Sequence, residues 1–374
     1  MLIGVPKEIK NHEYRVGMTP GSVREAVTRG HKVSIETGAG VGVGFSDIQY
    51  ENAGGTIAKT AAAIFEAAEM VVKVKEPQPE ECRMLSQGQV LFTYLHLAPD
   101  PIQTELLLES RCTAIAYETV TDDFGSLPLL APMSEVAGRM AVQVGAVAMQ
   151  KATGGCGVLL GGVPGSSPAK VTVIGGGVVG LNAARMALGL GADVTILDKS
   201  LKRLRYIDDV FGPGLKTQYA TLDATETLAL ESDLVIGAVL LPGAQAPKLL
   251  KRDHLARMKP GSVLVDVAID QGGCFETSRP TTHADPTFEI DGVVHYCVAN
   301  MPGAVAHTST MALNNATLPF ILTLAEKGWN KACRDDRHLR QGLNLHDGKI
   351  TCEPVAIAQN LEFLPTAESL CAYA

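Results

Sequence analysis

The 374-residue sequence lacks the cysteine patterns of a metal site or a disulfide scaffold. There is no CxxC pair and no tight cluster of histidine with cysteine, which predicts neither a structural zinc site nor a disulfide framework. Most cysteines are therefore expected to be small core residues in a reducing compartment, and the cytoplasm is the expected location. The eight cysteines are spread singly along the chain, as Cys82, Cys112, Cys156, Cys274, Cys297, Cys333, Cys352 and Cys371.

Long apolar runs and an excess of positive charge are also missing. No stretch of 18 or more apolar residues runs without a charge, glycine or proline, so no membrane span is predicted. The N-terminal MLIGVPKEIK has no apolar region of signal-peptide type. With 32 basic against 40 acidic residues the net charge is −8, which argues against nucleic acid as the main partner, because phosphate binding needs a basic face.

What the chain does contain is a repeated alternation of short apolar runs with helical patterns, which predicts an α/β fold. One series fills residues 1–130, and a second begins at VTVIGGG after the glycine-rich GGCGVLLGGVPGSSP. We predict two doubly wound domains with parallel sheets, one formed by 1–130 with 306–374 and the other, 131–305, inserted within it. In the helix predicted from SEVAGRMAVQVGAVAMQKA, Ser134 is the expected N-cap.

The segment VTVIGGGVVGLNAARMALGLGADVTILD carries the most specific motif. Gly175, Gly177 and Gly180 form G-x-G-x-x-G between a β-branched strand and a helix. In that motif the first glycine permits a tight turn, the second lets backbone approach a pyrophosphate, and the third allows close helix–strand packing. The phosphates then lie at the helix N-terminus, where N–H groups favour an anion. The segment predicts a dinucleotide site.

The second strand of this unit ends at Asp198, at the spacing of an acid that binds a ribose hydroxyl. Asp198 would repel a 2′-phosphate and favours NAD, whereas Lys199, Lys202 and Arg203 follow closely and could accommodate one. An upstream glycine-rich segment, TGAGVGVGF at 37–45, does not have the G-x-G-x-x-G spacing and is predicted to be a flexible loop or a tight turn.

Two lysines in VVKVKEP raise the question of what a cation does at the end of an apolar strand. Burying an ammonium group costs several kcal/mol unless it meets an anion. Lys73 is predicted to turn into solvent, whereas Lys75 is either solvated or part of a ligand site, since such sites gather at strand ends. Arg15, in the loop after the first strand, is either a surface residue or a guanidinium that binds a carboxylate.

His96 and Asp270 each end a predicted strand. A histidine near a nicotinamide is the usual proton partner of a carbonyl or hydroxyl, because its pKa lies near neutrality; the alternative is a structural histidine. Asp270 is either a second acid–base group or a cap before Gly272, and Asp266 is predicted to be structural. Together, two cations, a histidine and an aspartate suit oxidation of a 2-amino or 2-hydroxy acid.

Segments from the whole chain resemble the alanine dehydrogenase family, in the family's order. They are MLIGVPKEIKNHEYRVGMTP, VVKVKEPQ, LFTYLHLAPD, APMSEVAGRMAVQ, VIGGGVVG, VDVAIDQGG and VANMPGAVAHTST. The resemblance implies NAD-dependent, reversible oxidative deamination of L-alanine to pyruvate and ammonium. It implies a substrate domain at 1–130 and 306–374, a Rossmann NAD domain at 131–305, and a homohexamer.

The resemblance also implies the roles of individual residues. Arg15 and Lys75 would hold the substrate carboxylate, and His96 and Asp270 would be the acid–base pair. Ala220 stands where the family commonly has a serine on the adenine side. Besides Ala220 and the three motif glycines, the implied NAD contacts are Ser134, Val178, Val179, Asp198, Arg203, Val239, Leu240, Val267, Ala268, Ile269, Asp270, Arg279, Val298, Ala299, Asn300 and Met301.

Three other functions remain open at the level of sequence. The NAD-binding subunit of proton-translocating transhydrogenase would share the glycine motif but leave Lys75 and His96 without a purpose. A lysine-forming saccharopine dehydrogenase is a more distant enzyme alternative, separable by an assay with 2-oxoglutarate and lysine. A noncatalytic NAD-binding or regulatory protein would bind NADH without turnover of any 2-oxo acid.

Overall fold

The computed structural model describes residues 1–239, 247–366 and 370. The chain divides into two compact units, one comprising Met1–Met133 with Gly303–Ala374 and the other Ser134–Pro302. Each unit contains a mostly parallel sheet with helices, which confirms the predicted α/β class. Within the described ranges, no helix is long and apolar enough to cross a membrane.

The strands and helices alternate along most of the chain. The N-terminal segment contains β1 (Leu2–Val5), α1 (Pro20–Thr28), β2 (Lys32–Glu36), α2 (Asp47–Asn52), β3 (Thr56–Ala58), α3 (Ala61–Ala67), β4 (Met70–Val72), α4 (Pro79–Cys82), β5 (Val90–Thr93), α5 (Pro101–Ser110) and β6 (Thr113–Ala116). The long helix α6 (Ala131–Ala148) follows. The second unit contains β7 (Lys170–Ile174), α7 (Val178–Gly189), β8 (Asp193–Asp198), α8 (Leu201–Phe211), β9 (Lys216–Tyr219), α9 (Leu222–Glu231), β10 (Leu234–Gly237), α10 (Arg252–Leu255), β11 (Val263–Asp266), β12 (Thr287–Ile290) and β13 (Val293–Tyr296).

The C-terminal segment returns to the first unit and is mainly helical. It contains α11 (Ala306–Lys327), α12 (Trp329–Asp335), α13 (Arg337–Gln341), β14 (Leu343–His346), β15 (Lys349–Ile350) and α14 (Glu353–Gln359). Short 3₁₀ turns lie at Val41–Val43, Tyr117–Thr119, Lys151–Thr153, Gly212–Gly214, Ile269–Gln271 and Met301–Val305.

The first sheet has the strand order β15-β14-β6-β5-β4-β1-β2-β3. Strands β1 to β6 are parallel, whereas β14 is antiparallel to β6 and β15 is antiparallel to β14. The chain winds outward from β1 to β3 and then from β4 to β6, so the direction reverses between β1 and β4. Ligands of open α/β sheets bind beyond the carboxyl ends of the strands at such a reversal.

The second sheet has the order β12-β13-β11-β10-β7-β8-β9, with only β12 antiparallel to its neighbour in the described part of the chain. Omitting β12, this is the strand order of a dinucleotide-binding Rossmann sheet. Its reversal lies between β7 and β10. The strand β7, apart from its first residue, and all of β10 and β11 are buried, as expected for parallel strands covered on both faces.

Two local predictions can be compared with these elements. The predicted N-cap at Ser134 is wrong, because α6 begins three residues earlier at Ala131. Pro132 explains the earlier start, since proline is favourable in the first turn of a helix. The segment 37–45 forms a tight turn around Val41–Val43, with positive φ angles at Gly38 and Gly44.

Candidate functional site

The glycine motif forms the turn between β7 and α7 in the second unit. Gly175 has a φ of +104°, and a Cβ there would lie 2.8 Å from the Ala238 carbonyl oxygen beyond β10, which places the turn at the strand reversal. A Cβ on Gly180 would lie 1.7 Å from the Gly175 carbonyl oxygen, so only glycine fits. Among the described residues, nothing lies within 4 Å of the position of a Cβ on Gly177. The turn is packed tightly on the protein side and open at Gly177, which fits the approach of a pyrophosphate.

Two charged side chains fix the peptide groups of this turn. The Asp198 carboxylate accepts the Gly176 N–H and the Ser200 N–H, each at 2.7 Å. Arg203 donates from Nε to the Gly176 carbonyl oxygen, and its guanidinium carbon lies 4.9 Å from the centre of the Tyr206 ring. Asp198 and Arg203, which are both predicted cofactor contacts, therefore lie at the glycine turn and hold its backbone.

The remaining predicted cofactor contacts fall into groups around the second sheet. Val178 and Val179 begin α7, Ala220 donates its N–H to the Asp198 carbonyl oxygen at 3.0 Å, and Val239 lies 3.1 Å from the position of a Gly175 Cβ. These four residues therefore lie close to the glycine turn. The predicted contact Leu240 lies outside the described residues.

The predicted residues Val267, Ala268, Ile269 and Asp270 follow β11, and Asp270 is exposed within a 3₁₀ turn. The buried Asp266 carboxylate anchors this loop, because it accepts the Cys274 N–H at 2.8 Å and the Ser278 hydroxyl at 2.5 Å. Burial raises the pKa of Asp266, although Ser278 and Cys274 oppose the shift. Asp266 is thus structural, as predicted.

A separate group of predicted contacts lies around β13. Arg279 stacks 4.2 Å over the Phe288 ring, which itself stacks on His295. Val298 and Met301 are buried, and Ala299 and Asn300 are half-buried. Asn300 has a positive φ of 59°, and its carbonyl oxygen accepts a hydrogen bond from His283 at 3.3 Å. Ser134 is half-buried in α6.

Arg15 is buried in the first unit, with 2% of its side chain exposed. Its Nε and a terminal nitrogen donate to the two oxygens of Glu13, at 2.7 and 2.5 Å, and another terminal nitrogen lies 3.0 Å from Met133 Sδ. Burial lowers the pKa of Arg15, but the Glu13 hydrogen bonds and charge raise it above its ordinary value. The alternative of a surface arginine is therefore wrong.

Lys73 is fully buried, so the prediction of a solvated side chain is wrong. Its Nζ lies 2.6 Å from Glu81 Oε1 and 3.1 Å from Glu8 Oε2. Burial lowers the pKa of Lys73, but the two carboxylates raise it above its ordinary value. The strand β4 ends at Val72, so Lys73 and Lys75 both lie beyond it and do not point to one face of a strand.

Lys75 is mostly buried, with 12% of its side chain exposed. Its Nζ lies 3.7 Å from Glu76 Oε2, and its N–H donates to Glu8 Oε1 at 3.3 Å. Glu8 Oε1 also accepts the Val74 N–H at 2.7 Å. The carboxylate that pairs with Lys73 thus also holds the backbone that carries Lys75.

His96 lies at the end of the neighbouring strand, with 41% of its side chain exposed and its Nδ1 3.9 Å from Glu76 Oε2. Its ring stacks on Tyr94 at 5.7 Å. Its φ of +50° is uncommon for a residue other than glycine, and strain of this kind is concentrated at functional sites. Glu118 Oε1 supports this conformation by accepting the His96 N–H at 2.6 Å.

The structure thus brings Lys75 and His96 to one carboxylate, and it reveals glutamates that the sequence analysis missed. They are Glu8, Glu13, Glu76, Glu81 and Glu118. Glu76 and Glu118 follow the carboxyl ends of β4 and β6, a position that could have identified them, because ligand sites gather there. No local sequence feature identifies Glu8 or Glu13 as a partner of these cations.

Comparison with known proteins places these features in a family. The family model "Alanine dehydrogenase/PNT, N-terminal domain" matches residues 4–137, and "Alanine dehydrogenase/PNT, C-terminal domain" matches residues 141–353. A protein named alanine dehydrogenase from Halomonas elongata is 64% identical over 367 residues, which cover 98% of this chain and 99% of that protein.

Solved structures agree over nearly the whole length. A structure named L-alanine dehydrogenase is 52% identical with a TM-score of 0.93, covering 96% of this chain and 99% of the other. A transhydrogenase from Sinorhizobium meliloti is 25% identical with a TM-score of 0.80, covering 94% of this chain and 99% of the other. Both domain models match in order and together span most of the sequence. The chain belongs to the alanine dehydrogenase/PNT family.

Proposed function

We propose that the protein is an NAD-dependent L-alanine dehydrogenase. The reaction converts L-alanine, NAD⁺ and water reversibly into pyruvate, ammonium, NADH and a proton. One observation carries the proposal: Lys75 and His96 approach the same buried carboxylate oxygen, at 3.7 and 3.9 Å, beyond the carboxyl ends of β4 and β5. The full-length identity to alanine dehydrogenases supports the same reaction.

Arg15 and Lys75 are proposed to bind the substrate carboxylate. A guanidinium matches a carboxylate with two parallel hydrogen bonds, and an ammonium adds a compact charge. Glu13 fixes the guanidinium of Arg15 through two hydrogen bonds, so that group is held in a defined orientation before substrate binds. Such positioning of reacting groups is a large part of the rate enhancement in two-substrate reactions.

His96 is proposed to exchange a proton with the oxygen on C2, and Asp270 to move protons to and from water and nitrogen. Loss of hydride from Cα leaves an iminium, to which water adds to give a carbinolamine. Asp270 takes a proton from the adding water and returns it to the carbinolamine nitrogen. His96 then accepts the hydroxyl proton as the C2 carbonyl forms and the C–N bond breaks, and the released ammonia takes up a proton from solvent. Glu118 holds the backbone of His96 while this occurs.

The glycine turn of the second unit is proposed to hold NAD. Its open side at Gly177 and the N-terminus of α7 suit a pyrophosphate, and Asp198 adds a negative charge that disfavours a 2′-phosphate. Arg203, one of the basic residues that could neutralise such a phosphate, donates instead to the Gly176 carbonyl oxygen. Bound NAD⁺ supplies the acceptor for the hydride from Cα.

The roles of the two units follow from these assignments. Met1–Met133 with Gly303–Ala374 is proposed as the substrate domain, and Ser134–Pro302 as the NAD domain. The contacts predicted in α6, after β11 and around β13 also remain proposed cofactor contacts: Ser134, Val267, Ala268, Ile269, Arg279, Val298, Ala299, Asn300 and Met301. We further propose that the protein is cytoplasmic and that it forms a homohexamer. Light scattering of the purified protein will test the oligomeric state.

The decisive experiment follows NADH consumption with pyruvate and ammonium at mildly alkaline pH. We expect turnover that requires ammonium, and a His96→Ala variant that loses nearly all turnover while it binds NADH normally. His338→Ala, on the same unit and bound to the exposed Asp123, is the matched control and should remain active. NADH binding without turnover of pyruvate would contradict the proposal and favour a transhydrogenase-like or noncatalytic protein, and turnover of 2-oxoglutarate with lysine would favour a saccharopine dehydrogenase.

A separate binding experiment tests the cofactor site. Gly177→Ala places a methyl group in open space, so the protein should fold normally while its affinity for NADH falls at least tenfold. Gly189→Ala, at the far end of α7 and equally open, should bind NADH like the parent protein. Equal affinities of the two variants would exclude the glycine turn as the pyrophosphate site.

A further inference from the structure

One carboxylate oxygen of Glu76, between Lys75 and His96, is buried in the first unit. Within the described part of the chain, Glu76 Oε2 accepts no hydrogen bond, although it lies 3.7 Å from Lys75 Nζ and 3.9 Å from His96 Nδ1. The other oxygen of Glu76 pairs with Lys10, from the loop after β1. Three cationic or ionisable donors from three separate segments therefore surround one side chain.

A buried acceptor without a donor is unfavourable, and N–H···O hydrogen bonds normally span about 2.7–3.2 Å. Both nitrogens lie just beyond that range, so a small movement of either would complete a bond. Burial raises the pKa of Glu76, but Lys75, Lys10 and His96 lower it below its ordinary value, which keeps the group a carboxylate at neutral pH. Glu76 is thus an anion that both proposed site residues face.

We propose that Glu76 is a positioning residue for the deamination reaction: its carboxylate holds Lys75 and His96 in one arrangement around the substrate. This inference rests on the proposed function. Glu76 acts through its neighbours, because Lys75 would bind the substrate carboxylate and His96 would transfer the proton. Glu13 does not hold Lys75 or His96, since it binds Arg15 with both oxygens.

The test compares Glu76→Gln, Glu76→Asp and Glu80→Gln in the full-length protein, with pyruvate, ammonium and NADH. Glu80 is exposed in the first turn of α4, so Glu80→Gln makes the same chemical change nearby without touching the site. Glu76→Gln should raise the KM for pyruvate at least tenfold and lower kcat, with the Kd for NADH within twofold of the parent value. Glu76→Asp keeps the charge on a shorter side chain and should raise the KM about threefold.

A purely structural role would reduce folded protein and NADH binding together, without a selective change in the KM for pyruvate. The inference is overturned if Glu76→Gln matches the parent protein within threefold, if it weakens NADH binding as much as pyruvate use, or if Glu76→Asp is as impaired as Glu76→Gln. Should Glu76→Gln not fold, an unchanged KM in Glu76→Asp overturns it. If the parent protein itself does not turn over pyruvate, the proposed function fails and this inference fails with it; an active parent beside an unimpaired Glu76→Gln overturns this inference alone.

Discussion

Replacing Lys73 by methionine should destabilise the first unit strongly. Lys73, Glu8 and Glu81 are all buried, and the lysine is the cation that both carboxylates contact at 3.1 and 2.6 Å. Methionine fills a similar volume, so the main effect is electrostatic: two carboxylates stay in the interior without their counterion. Removing one partner of a buried ion pair costs about 3–5 kcal/mol.

The expected change in thermal stability follows from the size of the unit, which contains roughly two hundred residues. In domains of this size, 1 kcal/mol shifts the midpoint by about 2–4 °C, so Lys73→Met should lower the midpoint by about 6–20 °C. Circular dichroism at pH 7 and a fixed heating rate will measure it. Lys59→Met, at an exposed position of the same unit, is the control and should change the midpoint by about 1–2 °C at most.

A combined variant separates charge from packing. Adding Glu8→Gln and Glu81→Gln to Lys73→Met removes the unpaired charges and should restore part of the lost stability, because neutral replacements of buried ion pairs are often tolerated. A decrease below 3 °C for Lys73→Met would refute the reasoning. So would a combined variant no more stable than Lys73→Met, because the loss would then come from packing.

Three further predictions concern other parts of the chain. Gly180→Ala should abolish NADH binding and lower the midpoint by several degrees, because its Cβ would lie 1.7 Å from the Gly175 carbonyl oxygen; binding is measured by NADH fluorescence. The Thr37 hydroxyl and a backbone N–H lower the pKa of Asp47 below 3.8, so its contribution to stability is present above pH 3.8 and lost as the pH falls through its folded pKa. Asp47→Asn should therefore be less stable than the parent protein in urea at pH 7, with a difference that shrinks towards pH 3. Burial raises the pKa of Cys82 to about 12, so iodoacetamide at pH 8 should modify it only after unfolding, as mass spectrometry will show.

The fold and the glycine turn could be predicted from sequence because their causes are local. Gly175 and Gly180 are set by a turn and a close helix–strand approach within six residues, and the surrounding strands read as buried runs. The positions of Lys75 and His96 beyond the ends of β4 and β5 could be predicted in the same way, whereas their roles stay predictions. A strand–turn–helix segment therefore carries enough information to predict its own geometry.

The environment of Lys73 could not be predicted in that way, because its partner Glu8 lies 65 residues away in the sequence. The strand β4 ends at Val72, so Lys73 is the first residue beyond it rather than part of it. The predicted N-cap role of Ser134 is wrong because the predicted start of the helix is misplaced. Serine is a favourable capping residue, but Pro132 already lies in the first turn of α6.

In the first unit, Arg15, Lys73 and Lys75 each lie beside a carboxylate. The closeness of each pair determines how far a bound substrate would move the cation. Glu13 binds Arg15 with both oxygens, so that guanidinium is held in place before a carboxylate arrives. Lys75 lies 3.7 Å from Glu76, beyond hydrogen-bond distance, and its Nζ is held less firmly. A bound carboxylate would therefore alter Lys75 most and Arg15 least. Lys73 is bound by carboxylates on two sides, and one of them, Glu8, also holds the segment that carries Lys75.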